Sequence, residues 1–203
     1  MHLLDQRLLG GLIVILLAVL VTVKYRATGS VLDRPGGGAL VQAVNVFNLF
    51  FLLVVNPVAA VLLIARNAWA DPTHVAVGPP WLLTTLEVLG LAVYMLGFLL
   101  MAWALLALGR NYQLGGSVPR ESDILVAAGP YRRIRHPMYA AAIAIAFGLA
   151  TLLQSLAVAC VFCGYVVLIL LLIPLEEDGL RRTYGARWEE YGGATKRLVP
   201  FLY

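Results

Sequence analysis

The chain has 203 residues, 61% hydrophobic and 13% charged, with a formal net charge of +4 and a mean hydropathy of +0.86. Soluble domains run about 45–50% apolar and about 25% charged, so this composition excludes an ordinary soluble globule and points to an integral membrane protein. No stretch alternates strands with helices, which excludes a doubly wound cofactor fold, and the excess of Lys and Arg reads as a topology signal rather than as nucleic-acid binding.

The first apolar run, 8–23, is followed by Lys24 and Arg26 and lacks a small-residue cleavage site, so it is read as an anchor helix rather than a cleaved signal. Pro35-Gly36-Gly37-Gly38 follows as a flexible turn without the strand–helix context of a phosphate loop. The second run, 39–65, is broken mildly by Pro57; its Asn45, Asn48 and Asn56 are expected to bond neighbouring helices. The third run spans 81–108 and carries Glu87, an intramembrane acid on the face away from the polar end. His2 and His74 read as terminal and loop residues.

The fourth run, 139–173, has no charge. As one helix it would reach about 52 Å, against a hydrocarbon core of about 30 Å. It is therefore expected to fold back as a hairpin, turning near Thr151–Ser155 with Gln154 at the bend. Charge supports the same layout. With five spans and the N-terminus outside, every Lys and Arg except Arg7 and Arg66 falls inside, including Arg34, Arg110 and Arg120; with four spans the split is nearly even. Ala140, Ala144 and Gly148 repeat at a four-residue spacing, which lets helix backbones approach closely, and are assigned to the hairpin. Cys160 and Cys163 lie on an apolar helix with no other soft ligand nearby and are read as packing residues, with no metal site implied.

Two polar segments, 109–138 and 176–203, then share the cytoplasmic face. The first ends in Arg135-His136-Pro137-Met138-Tyr139, with Pro137 suited to the first helical position. The second opens with Glu176-Glu177-Asp178, where acids suit a helix start and Glu177–Arg181 and Asp178–Arg182 are spaced for i,i+4 pairs. Either segment reads as an ordinary membrane flank. Together they bring a His/Arg cluster opposite an acidic one, which suits a zwitterionic ligand.

The string Leu125-Val126-x-x-Gly129-Pro130-Tyr131-x-x-x-Arg135-His136-Pro137-x-Tyr139, the hairpin, and then Glu176-Glu177-x-x-Leu180-x-x-x-Tyr184-Gly185-x-x-Trp188-x-x-Tyr191 resembles the isoprenylcysteine carboxyl methyltransferase family and its phospholipid methyltransferase relatives. Leu108-Gly109-Arg110-Asn111-Tyr112 resembles the segment that opens the catalytic half. The resemblance implies an all-α integral membrane enzyme with five transmembrane helices, the last two a tight hairpin, and a cytoplasmic helical tail at 176–203. Residues 1–80 would form an N-terminal part and 81–203 the catalytic half. It implies methyl transfer from S-adenosyl-L-methionine to a lipophilic small molecule or lipid.

By the same resemblance Leu125, Val126, Tyr131, His136, Pro137, Met138, Tyr139 and Glu176 line the cofactor site. Arg135 and Arg197 would hold an anionic group on the substrate, and Glu177 or His136 would act as base for a hydroxyl, thiol or amine acceptor. Two positions depart from the pattern. Prenylcysteine members place an Arg one turn before the Glu pair, where Leu172 stands here, so a prenylcysteine carboxylate is not implied. A Gly usually follows the motif Tyr, where Ala141 stands here. The end of the tail, with Arg197-x-x-Pro200, also resembles membrane sterol reductases that use NADPH, and a non-catalytic membrane protein on the same scaffold is the third reading. The excess of Arg over Lys points to a prokaryotic cytoplasmic membrane.

Overall fold

The computed structural model describes residues 5–32, 38–65, 71–113 and 123–200; Arg34, the turn residues 35–37, Arg66, Arg120 and His2 lie outside them. Among the described residues every regular element is a helix. Four apolar helices are long enough to cross a membrane: α1 (Gln6–Thr28), the continuous pair α2 (Ala39–Phe50) and α3 (Asn56–Ile64), α4 (Pro80–Leu108), and α6 (Leu156–Tyr184). The fifth, α5 (Pro137–Leu153), is also apolar and has 17 residues. A short α7 (Ala186–Ala194) follows.

The fourth apolar run does fold back. α5 stops at Leu153, Gln154 takes the left-handed conformation (φ 47°), and Ser155 caps α6, its side chain accepting from the Val158 N–H. The Gln154 amide bonds the Thr151 and Leu152 carbonyls, and residues 73–75 serve the rest of the bend: the Val75 N–H donates to the Gln154 carbonyl and the Leu156 N–H to the Thr73 carbonyl. Alternation of direction gathers the ends of α1, α4 and α6 and the starts of α2 and α5 at one end of the bundle, called the mouth end below. The hairpin bend lies at the far end with His74, which bonds the Leu153 carbonyl.

The helices meet differently from the sequence expectation in one respect. The small residues of α5 pack against α4, not against its hairpin partner. A Cβ on Gly148 would sit 2.5 Å from the Tyr94 nitrogen and 2.7 Å from the Gly90 oxygen; one on Gly97 would sit 2.9 Å from the Ile145 nitrogen and 3.0 Å from the Ala141 oxygen. The buried stripe is Ala141, Ile145, Gly148 and Leu152, while Ala140 and Ala144 are only half-buried. Ala141 is thus matched by a glycine on the facing helix, which supplies the closeness a glycine at 141 would have given.

Pro57 leaves a clear mark. It has no N–H and its ring crowds the carbonyl four residues back, and the turn before it, Phe51–Val55, widens to a π-helix. The Asn56 side chain donates to the Phe51 carbonyl (2.9 Å) and accepts from the Tyr94 hydroxyl (2.7 Å), all fully buried or nearly so. Asn56 therefore pins the π-turn to α4. Tyr94→Phe should lower stability by about 1–3 kcal/mol because it orphans the buried Asn56 oxygen; thermal unfolding of the purified protein measures this, and an unchanged midpoint would contradict the lock. Glu87 is buried at the far end, where Gln6 reaches it at 3.5 Å.

Candidate active site

Local geometry at the mouth end follows from three anchors. Gly129 has φ +59° and presses on α4, where an added Cβ would sit 3.1 Å from Trp103 Nε1. A short 3-10 turn, Gly129–Arg132, leads into a parallel bridge between Ile134 and Lys196. There the Arg135 N–H donates to the Lys196 carbonyl (2.7 Å) and the His136 N–H to the Arg197 carbonyl (3.0 Å). Pro137 then begins α5 as its first helical residue. Asn111 ties the other strand of the loop: its oxygen accepts from the Ile124 N–H at 3.2 Å, which sets Leu125 and Val126 in place.

The two glutamates part company. α6 does not end before them; it runs through Pro174 to Tyr184, so no new helix starts at Glu176. Adjacent residues on a helix point about 100° apart. Glu177 turns into a buried ion cluster. Its Oε1 accepts from Arg135 Nε at 2.8 Å and faces His136 Nε2 at 3.3 Å, and its Oε2 takes both Nε (3.0 Å) and Nη2 (2.9 Å) of Arg197. Arg135 also donates to the carbonyls of Gly192 and Thr195. The i,i+4 pair Glu177–Arg181 does not form; Arg181 bonds Asp178 and Glu189 instead. Two guanidiniums on one carboxylate leave the cluster with a surplus positive charge beside the start of α5.

Glu176 points the other way, into a cavity of about 310 Å³ that continues from the mouth end into the bundle. The Tyr139 hydroxyl donates to Glu176 Oε2, and the Tyr139 ring stacks on His136 with centroids 5.5 Å apart. Leu125, Val126, Tyr131, Arg135, His136, Met138, Tyr139 and Glu176 all line this cavity. Pro137, Glu177 and Arg197 are not among its lining residues; Pro137 is buried as the helix start, and the other two form the ion cluster behind the wall. Burial, then the charge of Glu176, pushes the Tyr131 phenol well above its ordinary range. Burial pushes Tyr191 up to about 12, against a lowering pull from Arg135. Both are neutral phenols near neutral pH, and the Tyr191 hydroxyl donates to the Tyr131 carbonyl at 2.8 Å, fixing α7 over the mouth.

The sequence reading missed the deep half of the cavity. Asn45, Asn48 and Asn56 of the second run line it together with Phe98, Ile145 and Tyr165. Two of them bond neighbouring helices as expected, Asn48 with Tyr165 of α6 and Asn56 with Tyr94 of α4, and they do so at the cavity wall. The available signal was their clustering on one apolar helix, where amides are costly unless used. Tyr184, Trp188 and Tyr191 also line the mouth.

Known proteins are similar to the chain in two respects. The phospholipid methyltransferase family model matches residues 86–187, which takes in most of α4, the loop, the hairpin and the start of α7. A solved structure of the eukaryotic intramembrane Ras methyltransferase ICMT (isoprenylcysteine carboxyl methyltransferase) is similar in fold, with a TM-score of 0.54 at 19% identity, over 92% of this chain and 74% of that one. No curated protein matches. The family match favours the methyltransferase reading over the reductase one. With half the chain matched and the motif residues drawn around one cavity, this integral membrane protein belongs to the phospholipid methyltransferase family.

Proposed function

We propose that the protein transfers a methyl group from S-adenosyl-L-methionine to a lipophilic small molecule or lipid. The observation that carries this is one cavity with a charged, aromatic mouth and an apolar interior. Its size lies within the usual range of small-molecule sites, about 300–1,000 Å³, and its donor set fits the cofactor. Glu176 offers a carboxylate to an ammonium. The first N–H groups of α5, at Met138 and Tyr139, lack helical acceptors and suit a carboxylate, aided by the positive cluster behind them. Tyr131 and Tyr139 offer ring faces to an adenine or a sulfonium, and Leu125 and Val126 an apolar wall.

When bound, the cofactor supplies an electrophilic methyl group that passes to the acceptor's lone pair while the C–S electron pair stays on sulfur. The chain's own part is positioning and exclusion of water, the main needs of such a displacement. In this reading Arg135 and Arg197 act through Glu177, holding α5, α6 and the tail together, rather than on the substrate. Glu176 and Asp123 are the carboxylates that line the cavity. Residues 81–203 form the catalytic half and 1–80 complete the apolar wall. The mouth end faces the cytoplasm of a prokaryotic cell, the N-terminus lies outside, and the acceptor enters from the bilayer.

Labelled S-adenosylmethionine should bind the purified protein saturably. Glu176→Gln should weaken that binding roughly ten- to hundredfold, the value of a hydrogen bond to a charged group. Unchanged affinity in this variant, or no saturable binding by the parent, would overturn the reading.

A further inference from the structure

We propose that Arg132, Arg133 and Lys196 hold the headgroup of an anionic phospholipid, and that the bound lipid steadies the backbone clasp between residues 133–136 and 196–197. This lipid site is independent of the reaction in the cavity.

The clasp carries more positive charge than its own acids can balance. Residues 132–135 bring Arg132, Arg133 and Arg135, and residues 196–197 bring Lys196 and Arg197. Glu177 is the carboxylate that serves this group, and Arg135 (2.8 Å) and Arg197 (2.9 Å) take its two oxygens. Arg132, Arg133 and Lys196 remain, all three exposed, and among the described residues none of them has an ion-pair partner. The acids of α6 and α7 do not help: Asp178 and Glu189 are held by Arg181, and Glu190 pairs with none of the three.

These cations are also joined by backbone. The Lys196 N–H donates to the Arg133 carbonyl (3.2 Å), and the Arg135 N–H donates to the Lys196 carbonyl (2.7 Å). Two long cationic side chains therefore leave from hydrogen-bonded segments, and Arg132 precedes them. Like charges placed so repel each other. An anion shared between them turns that repulsion into attraction, and a phosphodiester presents two oxygens that match a guanidinium fork.

Position favours a lipid as the source of that anion. The apolar helix α5 begins at Pro137, just after these arginines, which sets them at the level of headgroups. Val199, 46% exposed, follows Lys196 closely and offers an apolar contact to the lipid below its phosphate. Arg182 and Arg187 are exposed at the same end but take no part in the clasp's hydrogen bonds. The clasp in turn sets the start of α5, through the His136 N–H on the Arg197 carbonyl (3.0 Å).

Thermal midpoints of the full chain in nanodiscs test this, with phosphatidylcholine alone compared against equal parts phosphatidylcholine and phosphatidylglycerol. The parent should gain about 4 °C or more in the anionic discs, as expected for two or three basic groups meeting an anionic surface. Arg133→Gln/Lys196→Gln should match the parent in phosphatidylcholine, or exceed it slightly because the repulsion is gone, and should lose most of the gain. Arg182→Gln/Arg187→Gln removes the same charge from the same end and should keep the gain. Inorganic phosphate added to phosphatidylcholine discs should not reproduce it. Four results would overturn the site: no gain in the parent, equal gains in the parent and the clasp variant, equal losses in the two variants, or a full gain from inorganic phosphate. A clasp variant markedly less stable than the parent in phosphatidylcholine would do so too, because the cations would then be holding the clasp without a lipid.

Discussion

Glu177→Gln should unfold the mouth end. The carboxylate holds Arg135 and Arg197 by charge and faces His136, and it is nearly inaccessible to solvent. Its amide replacement keeps the shape and leaves two guanidiniums side by side without a counterion. Breaking a buried ion pair from one side costs about 3–5 kcal/mol, because the remaining charge stays buried and uncompensated; this falls on Arg135, whereas Arg197 is 35% exposed and solvent screens its share. The thermal midpoint should fall markedly, and cofactor binding should fall with it, since Arg135 also anchors the tail through the Gly192 and Thr195 carbonyls. The double variant Glu177→Gln/Arg197→Gln returns the cluster to the parent's net charge and should recover part of the loss. A Glu177→Gln protein as stable as the parent, binding S-adenosylmethionine normally, would show that the cluster is not what joins α5, α6 and the tail.

Gly148→Ala should damage the centre of the bundle while leaving every charge in place. The new methyl group would meet backbone atoms of Tyr94 and Gly90 at 2.5 and 2.7 Å, and backbone cannot swing aside as a side-chain tip can. Overpacking of this kind costs about 1–3 kcal/mol, and Gly148→Leu should cost more by driving α4 and α5 apart. Gly164 on α6 is the matched control, with no neighbouring atom within 4 Å of an added Cβ. Gly164→Ala should be neutral or slightly stabilising, since Ala is the better helix former by up to about 1 kcal/mol. Equal midpoints for Gly148→Ala and Gly164→Ala would contradict the close α4–α5 contact. The effect should reach the site as well, because α4 and α5 supply Phe98, Ile145 and Tyr139 to the cavity.

Much of this architecture is legible in the sequence because lipid imposes simple rules. Long apolar runs must be helices, and an uncharged run too long for one span must turn. Gln154 and Ser155 mark where it turns, since polar residues there can serve the bend's own backbone. The mouth end is legible from the gathering of charge, and the residues that the resemblance assigns to the cofactor fall around one cavity, with Pro137 supporting it from behind. What each glutamate does is not legible from their adjacency. Only the continuation of α6 through Pro174 decides that Glu176 faces the cavity and Glu177 the arginines. The partner of Gly148 is likewise hidden, because a small-residue stripe fits either neighbour; Gly90 and Gly97, on one face of α4, were the unused clue. The deep asparagines were read as glue between helices, and their second property, facing a cavity, appears only once the helices are assembled.

The clasp between residues 133–136 and 196–197 has a consequence for biogenesis. A ribosome delivers α7 and the clasp segment only after every bundle helix has already been synthesised. The nascent protein can therefore be inserted in the bilayer, with its hairpin made, before α7 lies over the mouth of the cavity. Premature termination ahead of Lys196 would yield a lodged but inert chain, so ligand capture would serve as a readout of finished maturation rather than of insertion.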